Sequence, residues 1–129
     1  MTATPLALAS IAIGATLGAW LRWGLALWLN VPAARLPWGT LTANLIGGYL
    51  VGLLLGMLAA NPEWPHWLRL ALVTGFLGAL TTFSTFSAET VSLVQAGRPL
   101  AALGYAGASM LGSFILTAAG LFTVHLLSR

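Results

Sequence analysis

Residues 75–87 read Gly75-Phe76-Leu77-Gly78-Ala79-Leu80-Thr81-Thr82-Phe83-Ser84-Thr85-Phe86-Ser87, and this stretch decides the fold. Its second half places five hydroxyl side chains and two phenylalanines inside a long apolar segment. Polar groups are costly in hydrocarbon, so the run predicts that something polar sits there or passes through. The two glycines upstream weaken a helix, which predicts a break in a spanning segment; an unbroken helix with a small-residue packing face is the alternative.

The composition of the chain is that of an integral membrane protein. Of 129 residues, 59% are hydrophobic and 5% are charged, and the mean hydropathy is +0.94. A soluble domain needs about 25% charged residues. Cysteine is absent, which excludes thiol chemistry and disulfides. The net charge of +3 is spread along the chain, so no nucleic-acid partner is predicted, and membrane lipid is the expected surrounding.

Four segments are long enough to cross a bilayer, which takes about 20 mostly apolar residues. Proline and polar clusters separate them, and the predicted spans cover residues 6–29, 38–60, 67–95 and 100–127. The chain is therefore predicted to be all-α, as a single transmembrane domain over residues 1–129. No nucleophile–base pair or phosphate-binding loop is present, so an enzyme is not predicted.

The orientation of the four spans is not decided by their charges. Arg69 and Arg129 lie toward the side of the termini, whereas Arg35 and Arg98 lie toward the other side. Because basic residues set orientation, this balance allows insertion in both directions and antiparallel pairing of two copies. One fixed orientation, set by weaker cues, is the alternative.

Glycines recur at a spacing of four in two spans, at positions 14 and 18 and at positions 48, 52 and 56. Such rows allow helix backbones to approach closely in lipid. Since four helices leave little room for a pathway, an oligomer is predicted. The alternative is that these glycines pack helices within one subunit.

Two further spans carry polar residues in register. Thr40 and Asn44 share one face of the second span, where an interhelical hydrogen bond of Asn44 is the simpler explanation. In the fourth span, hydroxyl groups recur at every fourth position and form one stripe: Tyr105, Ser109, Ser113 and Thr117. Four in register indicate a polar track, but hydroxyl groups can serve an anion or a cation, so the sign of the ion stays open.

Phe83 and Phe86 lie three apart, and packing is the default interpretation of such a pair. Their rings have negative faces for a cation and positive edges for an anion. At the predicted break, Gly78 and Thr81 could offer free carbonyls to a cation. Arg22 and Glu89 are the charges deepest in the spans. Arg22 is predicted to line a mouth or to have an anchoring role, and the role of Glu89 stays open; either residue could also be structural, through an ion pair or a helix-end contact.

Three runs together resemble one known family. Residues 14–23 (GATLGAWLRW), residues 39–48 (GTLTANLIGG) and residues 75–86 with Glu89 are similar to the Fluc (CrcB-type) bacterial fluoride channels. The likeness extends over the whole chain in length, span number and motif order. Ala79 departs from the pattern, because a second glycine is frequent there.

The resemblance implies a passive fluoride channel in the bacterial inner membrane, an antiparallel dual-topology homodimer with two pores. It assigns the pore to Asn44, Phe83, Phe86, Ser84, Thr85, Tyr105, Ser109, Ser113 and Thr117. Arg22, Thr40 and Glu89 would line the vestibule. The Gly78 and Thr81 carbonyls of both copies would hold a structural sodium ion.

The alternative function is a small four-helix multidrug or cation exporter, which is also a dual-topology dimer. Such an exporter would need a carboxylate deep in the bundle. The first span has none, and Glu89 follows the hydroxyl-rich run instead.

Overall fold

The computed structural model describes residues 2–129, and their regular secondary structure is entirely helical. Helix α1 spans Pro5–Leu29, α2 spans Trp38–Ala60, α3 covers residues 66–80, α4 spans Ser84–Gln95, and α5 spans Pro99–Leu127. In these residues four stretches are long and apolar enough to cross a membrane, the third being His66–Gln95, which contains α3 and α4. The predicted all-α, four-span architecture is confirmed, with helix limits close to the predicted ones.

The helix ends follow from local chemistry. The Thr4 side chain accepts the Ala7 N–H at 3.1 Å and caps α1, which begins with proline. At the other end of α1, Asn30 Oδ1 accepts the Gly39 N–H at 2.6 Å and so ties the end of α1 to the start of α2. Gly97 has a φ of +75°, which lets the chain turn sharply between α4 and α5.

Helix α3 is irregular along most of its length. Residues Leu70–Leu77 form a π-helix between a short α-helical turn, His66–Arg69, and a second one, Gly78–Leu80. This wide segment packs directly on α1, where a side chain at Gly14 would overlap the Ala71 carbonyl and one at Gly18 the Phe76 carbonyl. The first glycine row therefore packs α1 against α3 of the same chain.

The second glycine row packs α2 against α5. Gly48 faces Ser113, Gly52 faces Thr117, and Gly56 faces Val124. A methyl group at Gly52 would overlap the Thr117 carbonyl oxygen, so the two backbones are in contact there. For both rows, the within-subunit alternative describes the structure, and the close α2–α5 contact fixes the hydroxyl stripe of α5 beside α2.

The third span is broken at residues 81–83. Thr81 has extended dihedrals (φ −84°, ψ 151°), and helix α4 begins only at Ser84. The alternative of an unbroken third helix is therefore wrong. The break lies opposite Asn44 of α2, and this juxtaposition organises the candidate site.

Candidate functional site at the broken helix

Asn44 holds the broken segment in place through both ends of its amide. Its Oδ1 accepts the Thr82 N–H at 2.8 Å, and its Nδ2 donates to the Thr82 carbonyl at 3.1 Å. Both backbone groups of Thr82 are thus satisfied at a point where no helix can satisfy them. The interhelical hydrogen bond considered for Asn44 exists, and it leaves the second Nδ2 proton available for another acceptor.

The break frees the carbonyl groups predicted to hold a cation. In a continuous helix, the Thr82 N–H would bond to Gly78 and the Thr85 N–H to Thr81. Here the first donates to Asn44 Oδ1 and the second to Thr82 Oγ1, at 3.2 Å. Hard cations favour such oxygen ligands. Within residues 2–129 no group of three or more His, Cys, Asp or Glu side chains is placed to hold a metal ion.

Arg22 anchors the same break from helix α1. Its Nε donates to the Ala79 carbonyl at 2.9 Å, an oxygen close to the end of the interrupted α3. A cation at the C-terminal end of a helix is favourable because the last carbonyls carry partial negative charge. Of the two roles considered for Arg22, the structure shows the anchoring contact.

An open groove of about 520 Å³ runs along the face that carries the break. Seven of the predicted site residues line it: Asn44, Gly78, Thr81, Phe83, Phe86, Ser109 and Ser113. We call it the central groove. Thr82, Gly47 and Gly48 complete its polar and small-residue wall. One surface of the chain therefore brings together residues from the second, third and fourth spans.

The hydroxyl groups in the stripe of α5 differ in their hydrogen bonding. Ser109 Oγ is buried and, among the residues described, has no hydrogen-bond partner, although the residue lines the central groove. Ser113 Oγ makes only a long contact of 3.5 Å with the Asn44 carbonyl. Thr117, by contrast, donates to backbone carbonyls of Gly48 and Ser113 at 2.9 Å each. Two hydroxyls of the stripe are thus free to serve a ligand, and Thr117 is occupied by the α2–α5 contact.

The two phenylalanines differ sharply in exposure. Phe86 is 8% exposed and packs on the Tyr105 ring, with centroids 5.3 Å apart. Phe83 is 78% exposed, and its ring lies 5.9 Å from that of Phe86 at an angle of 56°. The edge of an aromatic ring carries partial positive charge and its face carries partial negative charge. Because Phe83 is largely exposed and lines the central groove, its ring is accessible from the open side of the groove.

Beyond the phenylalanines lies a polar cluster centred on Glu89. Thr40 Oγ1 donates to Glu89 Oε1 at 2.8 Å, and the Tyr105 hydroxyl donates to Oε2 at 2.7 Å. Thr40 and Tyr105 are buried, whereas Glu89 is half-buried. Each carboxylate oxygen has a hydroxyl donor, which offsets part of the cost of placing this charge in the span.

Four predicted pore residues do not line the central groove: Ser84, Thr85, Tyr105 and Thr117. Ser84 is exposed at the first turn of α4, and Thr85 is half-buried with its N–H bonded to Thr82. Tyr105 belongs to the Glu89 cluster together with Thr40, and Thr117 bonds to backbone carbonyls where α2 and α5 meet. Arg22 anchors the break from α1.

Sequence reasoning missed Thr82 as a structural partner in the site. Thr40 pairs with Glu89 and Asn44 pairs with Thr82, so polar residues four apart on α2 face polar residues seven apart on the third span. Four residues make about one helical turn and seven make about two, so these spacings do not match, and periodicity alone would not have indicated both pairs.

Comparison with known proteins gives a consistent result. Residues 9–121 match the family described as CrcB-like protein, Camphor Resistance (CrcB). The chain belongs to the CrcB family. Three relatives are each named a fluoride-specific ion channel FluC. The Bordetella pertussis protein is 60% identical over 129 residues, which cover 100% of this chain and 99% of the relative.

The other two relatives are slightly less similar in sequence. The Pseudomonas putida protein is 55% identical over 122 residues, 94% of this chain and 95% of the relative. The Albidiferax ferrireducens protein is 55% identical over 119 residues, covering 92% and 90%. The predicted family is therefore confirmed, as are the predictions of a multi-pass bacterial membrane protein and of a non-enzyme. None of these names favours the multidrug exporter.

Proposed function

We propose that this chain is a fluoride-selective passive channel that exports fluoride across the bacterial cell membrane. The relatives named as fluoride-specific channels support this, since they are similar along almost their entire length. The observation that carries the proposal is the central groove, which is lined by Asn44 with a spare Nδ2 proton, by Ser109 with an unpartnered hydroxyl, and by Phe83 and Phe86. An amide proton, a hydroxyl proton and a ring edge each carry partial positive charge and not a full cation, so an anion that meets them can enter and also leave.

Two copies in antiparallel orientation form the functional unit. The broken segment and the central groove lie on an open face of the single chain, where Phe83 and Gly78 are exposed. Irregular backbone at membrane depth is tolerated only when protein covers it or water fills it. A second copy covers the groove and adds the ring edges of its own phenylalanines. The first copy does the same for the groove of the second, which gives two pores.

A sodium ion sits between the copies as a structural cofactor. The Gly78 and Thr81 carbonyls are its ligands, because the N–H groups that would bond to them in a helix are engaged elsewhere. The ion neutralises carbonyl charge at the centre of the assembly and is not transported.

Fluoride passes between the groove and the Glu89 cluster. Asn44, Ser109 and Ser113 offer donors on the groove side, and the edges of Phe83 and Phe86 follow. Ser84 and Thr85 lie in the first turn of α4 and begin the side of this path that α4 forms. Fluoride holds its water tightly, and several modest donors in sequence replace that shell without trapping the ion. Tyr105 and Thr117 border the track in the two directions, with their hydroxyl protons engaged by Glu89 and by backbone carbonyls. Arg22, Thr40 and Glu89 line its vestibule.

The function is tested by reconstituting the purified chain into liposomes that contain potassium fluoride or potassium chloride. After addition of a potassium ionophore, anion-selective electrodes follow the release of each anion. We expect rapid fluoride release and almost no chloride release. Silent liposomes, or equal release of both anions, would overturn the proposed function.

Replacing Phe83 by isoleucine is expected to lower fluoride flux by about tenfold, which corresponds to a loss of roughly 1.4 kcal/mol in the interaction with the ion. The aliphatic side chain keeps most of the bulk of phenylalanine but loses the ring quadrupole. The matched control is Phe122→Ile, which changes a phenylalanine that is 59% exposed on α5 and does not line the central groove. Both variants should elute as the wild type does in detergent. Equal flux in the two variants would contradict a role for the Phe83 ring.

Sodium removal is expected to destabilise the assembly. A ligand that binds only the folded state adds about 2.7 kcal/mol when present at 100 times its dissociation constant. The melting temperature in detergent should therefore rise and saturate with sodium chloride, and should not rise with choline chloride at the same ionic strength. Identical melting curves in the two salts would remove the sodium ion from the proposal.

A further inference from the structure

A second cavity, of about 360 Å³, lies at the loops that join α1 to α2 and α4 to α5. Arg35 and Arg98 line it from the two loops, and Glu89 and Ser92 line it from α4. We call it the loop basin. It lies at the ends of the spans opposite to the chain termini. Both walls are mostly apolar, but polar groups make up a larger share of the wall of the loop basin than of the wall of the central groove.

The loop basin adjoins the candidate pore through Glu89. That carboxylate borders the basin and accepts the hydroxyl protons of Thr40 and Tyr105. The Tyr105 ring in turn packs on Phe86, which lines the central groove. A continuous series of contacts therefore leads from the groove, past the aromatic rings and the carboxylate, to the basin.

Positive charge dominates this basin. It holds two guanidinium groups and one carboxylate, and both oxygens of that carboxylate are already engaged by hydroxyl donors. Arg98 Nη1 donates to the Arg35 carbonyl, so the Arg98 side chain is held across the two loops. Helices α2 and α5 begin beside the basin and helices α1 and α4 end there, so the partial charges of the helix ends oppose one another, and the two guanidinium groups supply the excess positive charge.

We propose that the loop basin is an anion-collecting mouth, in which Arg35 and Arg98 raise the local fluoride concentration at the Glu89 end of the pathway. This inference rests on the proposed function. A recess with low-dielectric walls focuses the field of its charges, which raises the rate at which an oppositely charged ion arrives. The guanidiniums attract the ion without desolvating it, so they change its arrival rate more than its passage through the pore.

The first experiment uses ionic strength, because screening separates long-range attraction from direct contact. Fluoride flux is measured at a subsaturating concentration in about 10 mM and about 500 mM inert salt, where the Debye length falls from about 30 Å to roughly 4 Å. Arg98→Gln and Arg35→Gln should each lower flux about two- to threefold at low salt and by less than about a fifth at high salt. The control, Arg129→Gln, removes the same charge from a residue that does not line the basin, and it should lower low-salt flux less than either of these variants.

The second experiment restores charge inside one folded protein. The chain has no cysteine, so Arg98→Cys introduces the only thiol. Modification with a cationic methanethiosulfonate should return low-salt fluoride flux toward the wild-type value, whereas an anionic methanethiosulfonate should lower it further. Since the same preparation is measured before and after modification, a folding defect cannot produce opposite changes.

The outcomes separate the two proposals. A wild type that carries no fluoride overturns both the channel function and the mouth. A conducting wild type whose arginine variants lose equal flux at both salt concentrations, or whose modified cysteine responds equally to both reagents, overturns the mouth alone. Opposite responses to the two reagents, together with a loss confined to low salt, support it.

Discussion

Asn44→Asp is expected to reduce fluoride flux by about 100-fold or more, since like charges brought together cost several kcal/mol and each 1.4 kcal/mol is tenfold. Two effects act in the same direction. An aspartate cannot donate to the Thr82 carbonyl, which Asn44 Nδ2 now reaches at 3.1 Å. Its carboxylate also places negative charge in the central groove, where an anion is proposed to pass.

The matched control for this change is Asn61→Asp at the end of the same helix. Asn61 Nδ2 donates to the Met57 carbonyl at 2.8 Å, an exposed bond one turn back along α2. The control loses one amide donor and gains one negative charge, as the test variant does, but it does so far from the groove. We expect it to keep nearly wild-type flux. If Asn44→Asp and Asn61→Asp conducted equally, the assignment of Asn44 to the pore would be wrong.

A second measurement separates bracing from anion contact. Asn44→Ser removes the brace without adding charge. If Asn44 only braces the break, this variant should fail as completely as Asn44→Asp and melt at a similarly lowered temperature. If the amide also contacts fluoride, the serine variant should retain more flux than the aspartate variant, because only the aspartate repels the anion.

Gly52→Ala is expected to destabilise the fold by about 1–3 kcal/mol or more, the usual range for inserting an extra group into a packed core. The new methyl group would overlap the Thr117 carbonyl oxygen and would also lie 3.1 Å from the Gly120 Cα atom. Neither neighbour is the end of a flexible side chain, so one helix must move. Tryptophan fluorescence during heating in detergent, with the yield of the eluted peak, measures the loss.

Gly24→Ala is the control for this packing prediction. No atom lies within 4 Å of the place where its methyl group would be built. Alanine is the better helix former by about 1 kcal/mol, so the control should melt at or slightly above the wild-type temperature. If both alanine variants melted alike, the close α2–α5 approach would be contradicted.

The helical architecture could be predicted from the sequence because membrane spans depend on simple quantities. About 20 apolar residues, proline at the boundaries and few charges are sufficient to locate a span. The break was also predictable, because two glycines precede a hydroxyl-rich run in residues 75–87. Such signals are local, so they can be interpreted without knowledge of tertiary contacts.

The partners of the polar residues were not predictable in the same way. From the sequence, the partner of Asn44 could be either another helix or an ion. Only the packing of α2 against the third span shows that Thr82 bonds to the amide oxygen and to one of the two amide protons. Likewise, Thr117 and Ser109 belong to one regular stripe, yet Thr117 bonds to backbone and Ser109 does not. The rotation of each helix against its neighbour makes this difference, and a periodic pattern does not encode it.

The π-helical stretch was not predicted at all. Residues 70–77 are apolar and contain one glycine, which is also compatible with an ordinary helix. Its contacts with Gly14 and Gly18 join backbone atoms of α1 and α3 across some 60 positions of sequence. A single-sequence pattern carries no such long-range information.

The hydrogen bonds that hold the broken helix, between Arg22 and Ala79 and between Asn44 and Thr82, lie within one chain. In the proposed antiparallel dimer, each copy can therefore complete its half of the site before it meets the other copy. The orientation of each copy is then set at insertion into the bilayer and not by folding, and the proposed dimer assembles afterwards by lateral diffusion of copies with opposite orientations.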